Sequence, residues 1–129
     1  MKLTDKYRES ALQKITGGRA TRKIGQVTYE IDGKRIHIKV RTGNLKKYPF
    51  NINDAVLAAD YEVYVCGTQG LYYMVPIELI KKMHTDPSAM PDYTHPGLTV
   101  VDVHPTDDRI IFGTGGKSLS IAKFRNQTL

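Results

Sequence analysis

Hydrophobic and polar side chains change their spacing several times along the chain, and each change predicts a different element. Apolar side chains recur every three or four residues over positions 3–16, which predicts an amphipathic helix that ends at a pair of glycines. Alternating positions follow on both sides of Asp32-Gly33, a dipeptide suited to the positive φ angles of a tight hairpin turn. We therefore predict two antiparallel strands, over residues 23–32 and 34–42.

The rest of the chain is predicted to contain a loop, a second hairpin, a helix and further strands. Glycine, asparagine and proline break the pattern after the first hairpin, whereas β-branched and aromatic runs predict the second one. These elements are predicted over 43–53 (loop), 54–60 (short helix), 61–67 and 71–76 (hairpin strands), 76–84 (helix) and 85–96 (irregular segment with three prolines). Alternation near the C-terminus predicts short strands that cover an edge of the sheet.

Length and composition fit one domain. A chain of 129 residues with 40% hydrophobic side chains can form one core and is short for two. We therefore predict a single domain over residues 1–129, of α/β (α+β) class. The charged N-terminus and the lack of an 18-residue apolar run predict a soluble, cytoplasmic protein without a membrane partner. The single cysteine, Cys66, lies in an apolar run and is predicted to be buried.

Two short motifs admit a functional and a structural interpretation. The sequence GTGGKS over 113–118 looks like a phosphate-binding loop, but Ile111 occupies the position of its first glycine, so we predict a plain turn. Tyr72 and Tyr73 point to opposite faces of their strand. One is predicted to pack in the core, and the other is available to stack on a base or to lie at a dimer interface.

The second strand of the first hairpin carries a run of basic and titratable side chains on one face. Alternation places Ile36, Ile38 and Val40 on one side. His37, Lys39 and Arg41 lie on the other side. We call these last three residues the cationic strip, and we predict that it faces away from the core that the aliphatic residues form.

Positive charge is concentrated in the first part of the chain. Residues 1–47 contain 13 Lys and Arg against four acidic residues, a net charge of +9, whereas residues 48–129 carry −3 within a total of +6. A basic surface of this kind predicts a polyanionic partner, with nucleic acid, and DNA first, as the expected one. The predicted nucleic-acid-binding residues are Arg35, His37, Lys39, Arg41, Lys46 and Lys47.

Two stretches resemble the PD-(D/E)XK nuclease superfamily, in the branch of group I intron homing endonucleases and Holliday-junction-resolvase-like nucleases. They are YEIDGKRIHIKVRTG over 29–43 and ADYEVYVCGTQGLYYMVPIELI over 59–80. The resemblance covers residues 3–83 and leaves a loop over 85–97 and strands over 98–125. It implies a restriction-endonuclease-like core, a mixed β-sheet flanked by helices in the order αβββαββα, with the C-terminal strands added.

The resemblance also implies a metal site, and this sequence departs from it. The positions that match the superfamily's Asp, Gln or Glu, and Lys hold Thr28, Lys39 and Arg41, while Glu9 matches its first-helix acid. A hard cation such as Mg²⁺ needs at least two oxygen ligands, and a lysine at a ligand position would repel it. We therefore expect a nucleic-acid-binding protein with a nuclease-like fold that has lost metal-dependent cleavage and uses no cofactor.

Two other functions stay open. In an active Mg²⁺-dependent endonuclease with migrated ligands, Glu9 and Glu30 would hold the metal and would act with Lys39 and Arg41 as the catalytic residues. In a protein-interaction module of a phage or mobile element, the basic half would meet an acidic protein instead. A homodimer is also expected, because two-fold pairing would lengthen the cationic face.

Overall fold

Residues 2–129 form two α-helices and two β-sheets. The computed structural model describes residues 2–129. The helices are α1 (Leu3–Thr16) and α2 (Ile77–His84), and 3-10 helices cover Asp54–Ala58, Thr114–Gly116 and Ala122–Phe124. The strands are β1 (Arg22–Lys23), β2 (Thr28–Ile31), β3 (Lys34–Arg41), β4 (Tyr48–Ile52), β5 (Tyr61–Cys66), β6 (Tyr72–Pro76), β7 (Met90–Pro91), β8 (Thr99–His104), β9 (Arg109–Gly113) and β10 (Lys117–Ser120).

The strands divide between the sheets in a way that separates β4 from its neighbours in sequence. The first sheet has the order β1-β2-β3-β5-β6, and β3 and β5 are its parallel pair. The second sheet has the order β10-β9-β8-β4, with β7 paired to β8, and is antiparallel. The chain therefore leaves the first sheet after β3, adds β4 to the second sheet, and returns to lie beside β3 as β5.

Two hydrophobic cores hold three layers together. In the first core, Leu12 and Ile15 of α1 pack on one face of the first sheet, where they meet Ile36, Ile38 and Val63. The second core lies between the opposite face of the first sheet and the second sheet, and α2 closes it. Because the first sheet is covered on both faces, alternate side chains along its strands point into one core or the other. The α+β class is therefore confirmed.

The predicted helices and hairpins are present. Helix α1 covers the predicted range, α2 begins one residue after Pro76, and a 3-10 helix replaces the short helix predicted over 54–60. Asp32 and Gly33 have φ angles of 49° and 77°, as the tight turn between β2 and β3 requires. The first strand of this hairpin is shorter than predicted, because the ladder between β2 and β3 begins at Thr28.

The loop predicted over 43–53 is wrong in its second half, which forms strand β4. Tyr48, Phe50 and Ile52 are buried and alternate with Pro49 and Asn51. A proline normally argues against a strand, but β4 lies at an edge of its sheet. The Pro49 carbonyl points away from β8 toward Arg41, so the missing N–H removes no bond from the β4–β8 ladder.

Other predictions need correction. The C-terminal strands do not extend one mixed sheet but form a second sheet against its face, and the two-residue strand β7 lies within the segment predicted to be irregular. Tyr72 and Tyr73 are both buried, one in each core, so neither is free to stack on a base.

The glycine-rich sequence over 113–118 is confirmed as a turn between β9 and β10. No helix within residues 2–129 is long and apolar enough to cross a membrane.

Candidate functional site

The cationic strip lies between the two sheets. Ile36 and Ile38 of β3 belong to the core under α1, so the alternation turns His37, Lys39 and Arg41 toward the second sheet. His37 and Lys39 are partly buried there, while Arg41 remains exposed. The strip therefore faces another layer of the protein along most of its length, and its neighbours determine what it can bind.

A buried glutamate on the neighbouring parallel strand organises two residues of the strip. Glu62 of β5 is opposite His37 in the register and has 0% exposure. Its Oε1 atom lies 3.1 Å from His37 Nδ1 and 3.3 Å from Lys39 Nζ, and its Oε2 atom accepts a 3.0 Å hydrogen bond from the Tyr64 hydroxyl. We call Glu62, His37, Lys39 and Tyr64 the Glu62 cluster.

The contacts of the Glu62 cluster stabilise a buried carboxylate whose burial would otherwise be costly. A carboxylate removed from water needs both opposite charge and hydrogen bonds, and Glu62 receives both from three donors. Burial, followed by the negative charge of Glu62, raises the pKa of the Tyr64 hydroxyl well above its ordinary value, so Tyr64 stays a neutral donor. The Lys39 ammonium group beside the carboxylate would repel a metal ion, which leaves Glu62 poorly suited to hold one.

Lys39 and Arg41 also bind the free edge of β4. The Lys39 ammonium group donates to the Asn51 carbonyl, and Arg41 Nε donates to the Pro49 carbonyl over 2.9 Å. Both carbonyls lie on the side of β4 that has no neighbouring strand in the second sheet. The strip thus caps an unpaired strand edge and fastens the second sheet to the first.

Strands β2 and β3 separate beside these cations, and we call the point of separation the fork. The β2–β3 ladder ends with Thr28 opposite His37, and one further bond joins Ile38 N–H to the Val27 carbonyl. Beyond this point β3 continues without β2. Arg8 of α1 fills the gap, where its Nε donates to the Ile38 carbonyl over 3.1 Å and its NH1 group lies 2.6 Å from Asp5.

A cavity opens at the fork. It has a volume of about 350 Å³, and its lining includes Arg8, Val27, Lys39, Arg41, Asn51 and Asn53. We call this cavity the fork cleft. A second cavity of about 320 Å³ shares Arg8 and Val27 with it and adds Lys2 and Lys23. Five cations line the two cavities, against Asp5 and the nearby Glu62, so positive charge dominates this part of the surface.

The remaining predicted binding residues lie apart from the cleft lining. Arg35, Lys46 and Lys47 are exposed. Lys47 Nζ is 3.9 Å from Asp102, and the Arg35 main-chain N–H donates to Asp60. Of the six predicted nucleic-acid-binding residues, Lys39 and Arg41 line the fork cleft, His37 belongs to the Glu62 cluster, and the other three are exposed outside the cleft lining.

The predicted metal ligands Glu9 and Glu30 are not brought together. Glu9 lies on α1 and lines a cavity with Tyr29, on the helix side of the first sheet. Glu30 follows Tyr29 in β2, so its side chain points to the opposite face, where it is 3.0 Å from Arg22. Within residues 2–129 no group of three His, Cys, Asp or Glu side chains could hold a metal ion. The predicted pair therefore provides no common metal site.

Glu62 and Arg8 are the charged residues of this region that sequence reasoning missed. Glu62 is the lone charge within the apolar run YEVYVC, and an isolated charge in a buried strand is a signal that it has a partner nearby. Arg8 has no comparable signal, because it is one of several charged residues on α1. Cys66 is buried as predicted, and burial raises the pKa of its thiol to about 12, which keeps it protonated and unreactive.

These features define a two-sheet α+β protein with a basic cleft at a fork in its first sheet. Comparison of the chain with protein-family models, curated proteins and solved structures finds no match. The assignment of a function therefore depends on the chemistry of the cleft itself.

Proposed function

We propose that the protein binds nucleic acid at the fork cleft and does not cleave it. The observation that carries this proposal is the convergence of Arg8, Lys39 and Arg41 on one concave surface. Arg41 is exposed and forms no ion pair within residues 2–129, so its guanidinium group is available to a phosphate. Lys2 and Lys23 extend the positive surface into the neighbouring cavity.

The arrangement of acidic groups supports binding without hydrolysis. Metal-dependent cleavage needs carboxylates that converge on a divalent cation and hold it beside the phosphate. Glu9 and Glu30 lie on opposite faces of the first sheet, and both oxygens of Glu62 already accept from protein donors. The cations of the cleft would contact the phosphates in place of a metal, and they would not activate water.

A restriction-endonuclease-like core is part of the same proposal. The mixed first sheet supports it, because this sheet contains the β2–β3 hairpin and the parallel strand β5 and is covered by helix α1. Strand β4 departs from the single mixed sheet of such a core, because it joins the second sheet. A homodimer, with two clefts on one ligand, fits this function since each cleft by itself is small.

The salt dependence of binding tests the main proposal. We expect the logarithm of the affinity to fall linearly with the logarithm of the salt concentration, by about 0.7 per phosphate contact on single strands and about 0.9 on duplex DNA. Arg41→Ala removes one expected phosphate contact. It should therefore make this slope shallower by about 0.7 on single strands or about 0.9 on duplex DNA. Lys123→Ala is the control, because Lys123 lies over the Phe124 ring, next to β10 at the far edge of the second sheet. Absent or salt-independent binding in a fluorescence titration would contradict the proposal.

A cleavage assay separates binding from the alternative of an active endonuclease. Purified protein incubated with plasmid and single-stranded DNA in Mg²⁺ or Mn²⁺ is expected to leave both intact. Glu9→Ala and Lys39→Ala variants serve as references. Divalent-dependent nicking that both substitutions abolish would favour the active enzyme. Binding of an acidic protein, with no affinity for nucleic acid, would favour the interaction module.

A further inference from the structure

We infer that the fork cleft accepts an unpaired nucleotide, so that the protein prefers single strands, or duplexes with an unpaired end, to blunt duplex DNA. This inference rests on the proposed function and specifies its ligand. It follows from the depth at which the cations lie, from the size and lining of the cavity, and from the positive path that leads out of it.

Two of the cations are recessed and held in place. The side chains of Arg8 and Lys39 are only 11% and 21% exposed, and each donates to a main-chain carbonyl. Duplex DNA is a stiff rod on the scale of one cavity, and it does not readily bend a single nucleotide inward to reach recessed cations. A flexible strand can instead bend one phosphate and its base into a concave site.

The size and lining of the cavity fit a nucleotide. Its volume of about 350 Å³ lies in the range of small-molecule sites, which are mostly apolar with a few placed polar groups. Val40 and Leu98, which are only partly buried, supply apolar surface, and Asn51 and Asn53 supply polar groups. The Asn53 Oδ1 atom accepts from Val56 N–H, which orients the side chain and leaves its amide NH₂ group to donate to a base.

The neighbouring cavity offers a path for the rest of the strand. It shares Arg8 and Val27 with the fork cleft, and Lys2 and Lys23 lie along it. A strand whose terminal or looped-out nucleotide occupies the cleft would therefore place its next phosphates beside further cations. This arrangement has the basic groove typical of single-strand sites, and beside it a cavity with room for a base.

Fluorescence anisotropy with three labelled DNAs of one sequence tests the inference. The probes are a single strand, the blunt duplex, and that duplex with an unpaired tail of about five nucleotides. We expect the single strand and the tailed duplex to bind at least about fivefold more tightly than the blunt duplex, the effect of one well-contacted base. A labelled mononucleotide tests whether the cleft binds a nucleotide that is not part of a strand.

Two variants assign the preference to the cleft. Leu98→Trp fills the cavity without changing its charge, and should lower the affinity for the single strand and the tailed duplex to that for the blunt duplex. Arg8→Lys keeps the charge but loses the guanidinium geometry at the fork, so it should also weaken the preference for unpaired nucleotides. This variant serves as the test if Leu98→Trp does not fold. Lys123→Ala should keep the preference. If no probe binds, the proposed function itself fails. If the blunt duplex binds as tightly as the tailed one, the function stands and the unpaired-nucleotide inference is wrong.

Discussion

Replacing Glu62 with alanine is expected to lower the free energy of unfolding by about 3–5 kcal/mol, the usual cost of breaking a buried ion pair by removing one partner. The variant would leave His37 and Lys39 beside a cavity without their acceptor, and the Tyr64 hydroxyl would lose its bond to Oε2. Urea denaturation followed by circular dichroism measures the change as a shift of the midpoint.

A surface pair and a double variant serve as controls for this result. Glu30→Ala removes an ion pair with the exposed Arg22 and should cost less than about 1 kcal/mol. Adding Lys39→Met to Glu62→Ala should recover part of the loss, because it removes the uncompensated cation and keeps an apolar side chain of similar length. A Glu62→Ala variant as stable as the Glu30→Ala variant would show that the Glu62 carboxylate is not buried against these donors.

Replacing Phe50 with alanine is expected to destabilise the protein by a comparable amount, about 3–5 kcal/mol, through the loss of buried surface and the cavity that remains. Phe50 is 2% exposed, and its ring centroid lies 4.4 Å from that of Tyr64 in the first sheet. The two rings pack across the interface between the sheets, so the substitution tests the position of β4 directly.

Tyr93→Ala is the matched aromatic control for this prediction. Tyr93 is 91% exposed, and its removal should change the free energy of unfolding by no more than about 0.5 kcal/mol. Both variants can be compared by thermal and urea denaturation. A Phe50→Ala variant that is no less stable than Tyr93→Ala would mean that residues 48–52 form a loop, as the sequence pattern predicts, and that β4 does not pack on the first sheet.

The two predictions link the candidate site to the fold. Lys39 belongs to the Glu62 cluster, donates to the Asn51 carbonyl on β4, and also lines the fork cleft. A change at Lys39 therefore affects both the junction of the sheets and the proposed ligand site. Arg41→Ala is the better probe of binding, because Arg41 is exposed and its contribution to the interior is smaller.

Local sequence determines much of the framework. The periodicity of α1, the Asp32-Gly33 turn and the two hairpins follow from spacing and turn chemistry, which act between residues close in the chain. Alternation along β3 also places His37, Lys39 and Arg41 on one face. The burial of Cys66 follows in the same way from its apolar neighbours.

Tertiary structure decides what covers each face and which distant residues meet. Alternation separates two faces of β3 but does not show that the second one is closed by another sheet, since β4 reaches that sheet by pairing with β8, about fifty residues later in the chain. Glu62 meets Lys39 only because β5 returns parallel to β3, and Arg8 meets Ile38 only because α1 packs across the sheet. These contacts depend on long-range pairing and packing, whose free energy no local pattern encodes. The sequence alone therefore determines the cationic strip, and the tertiary structure decides that it joins two sheets and lines a cleft.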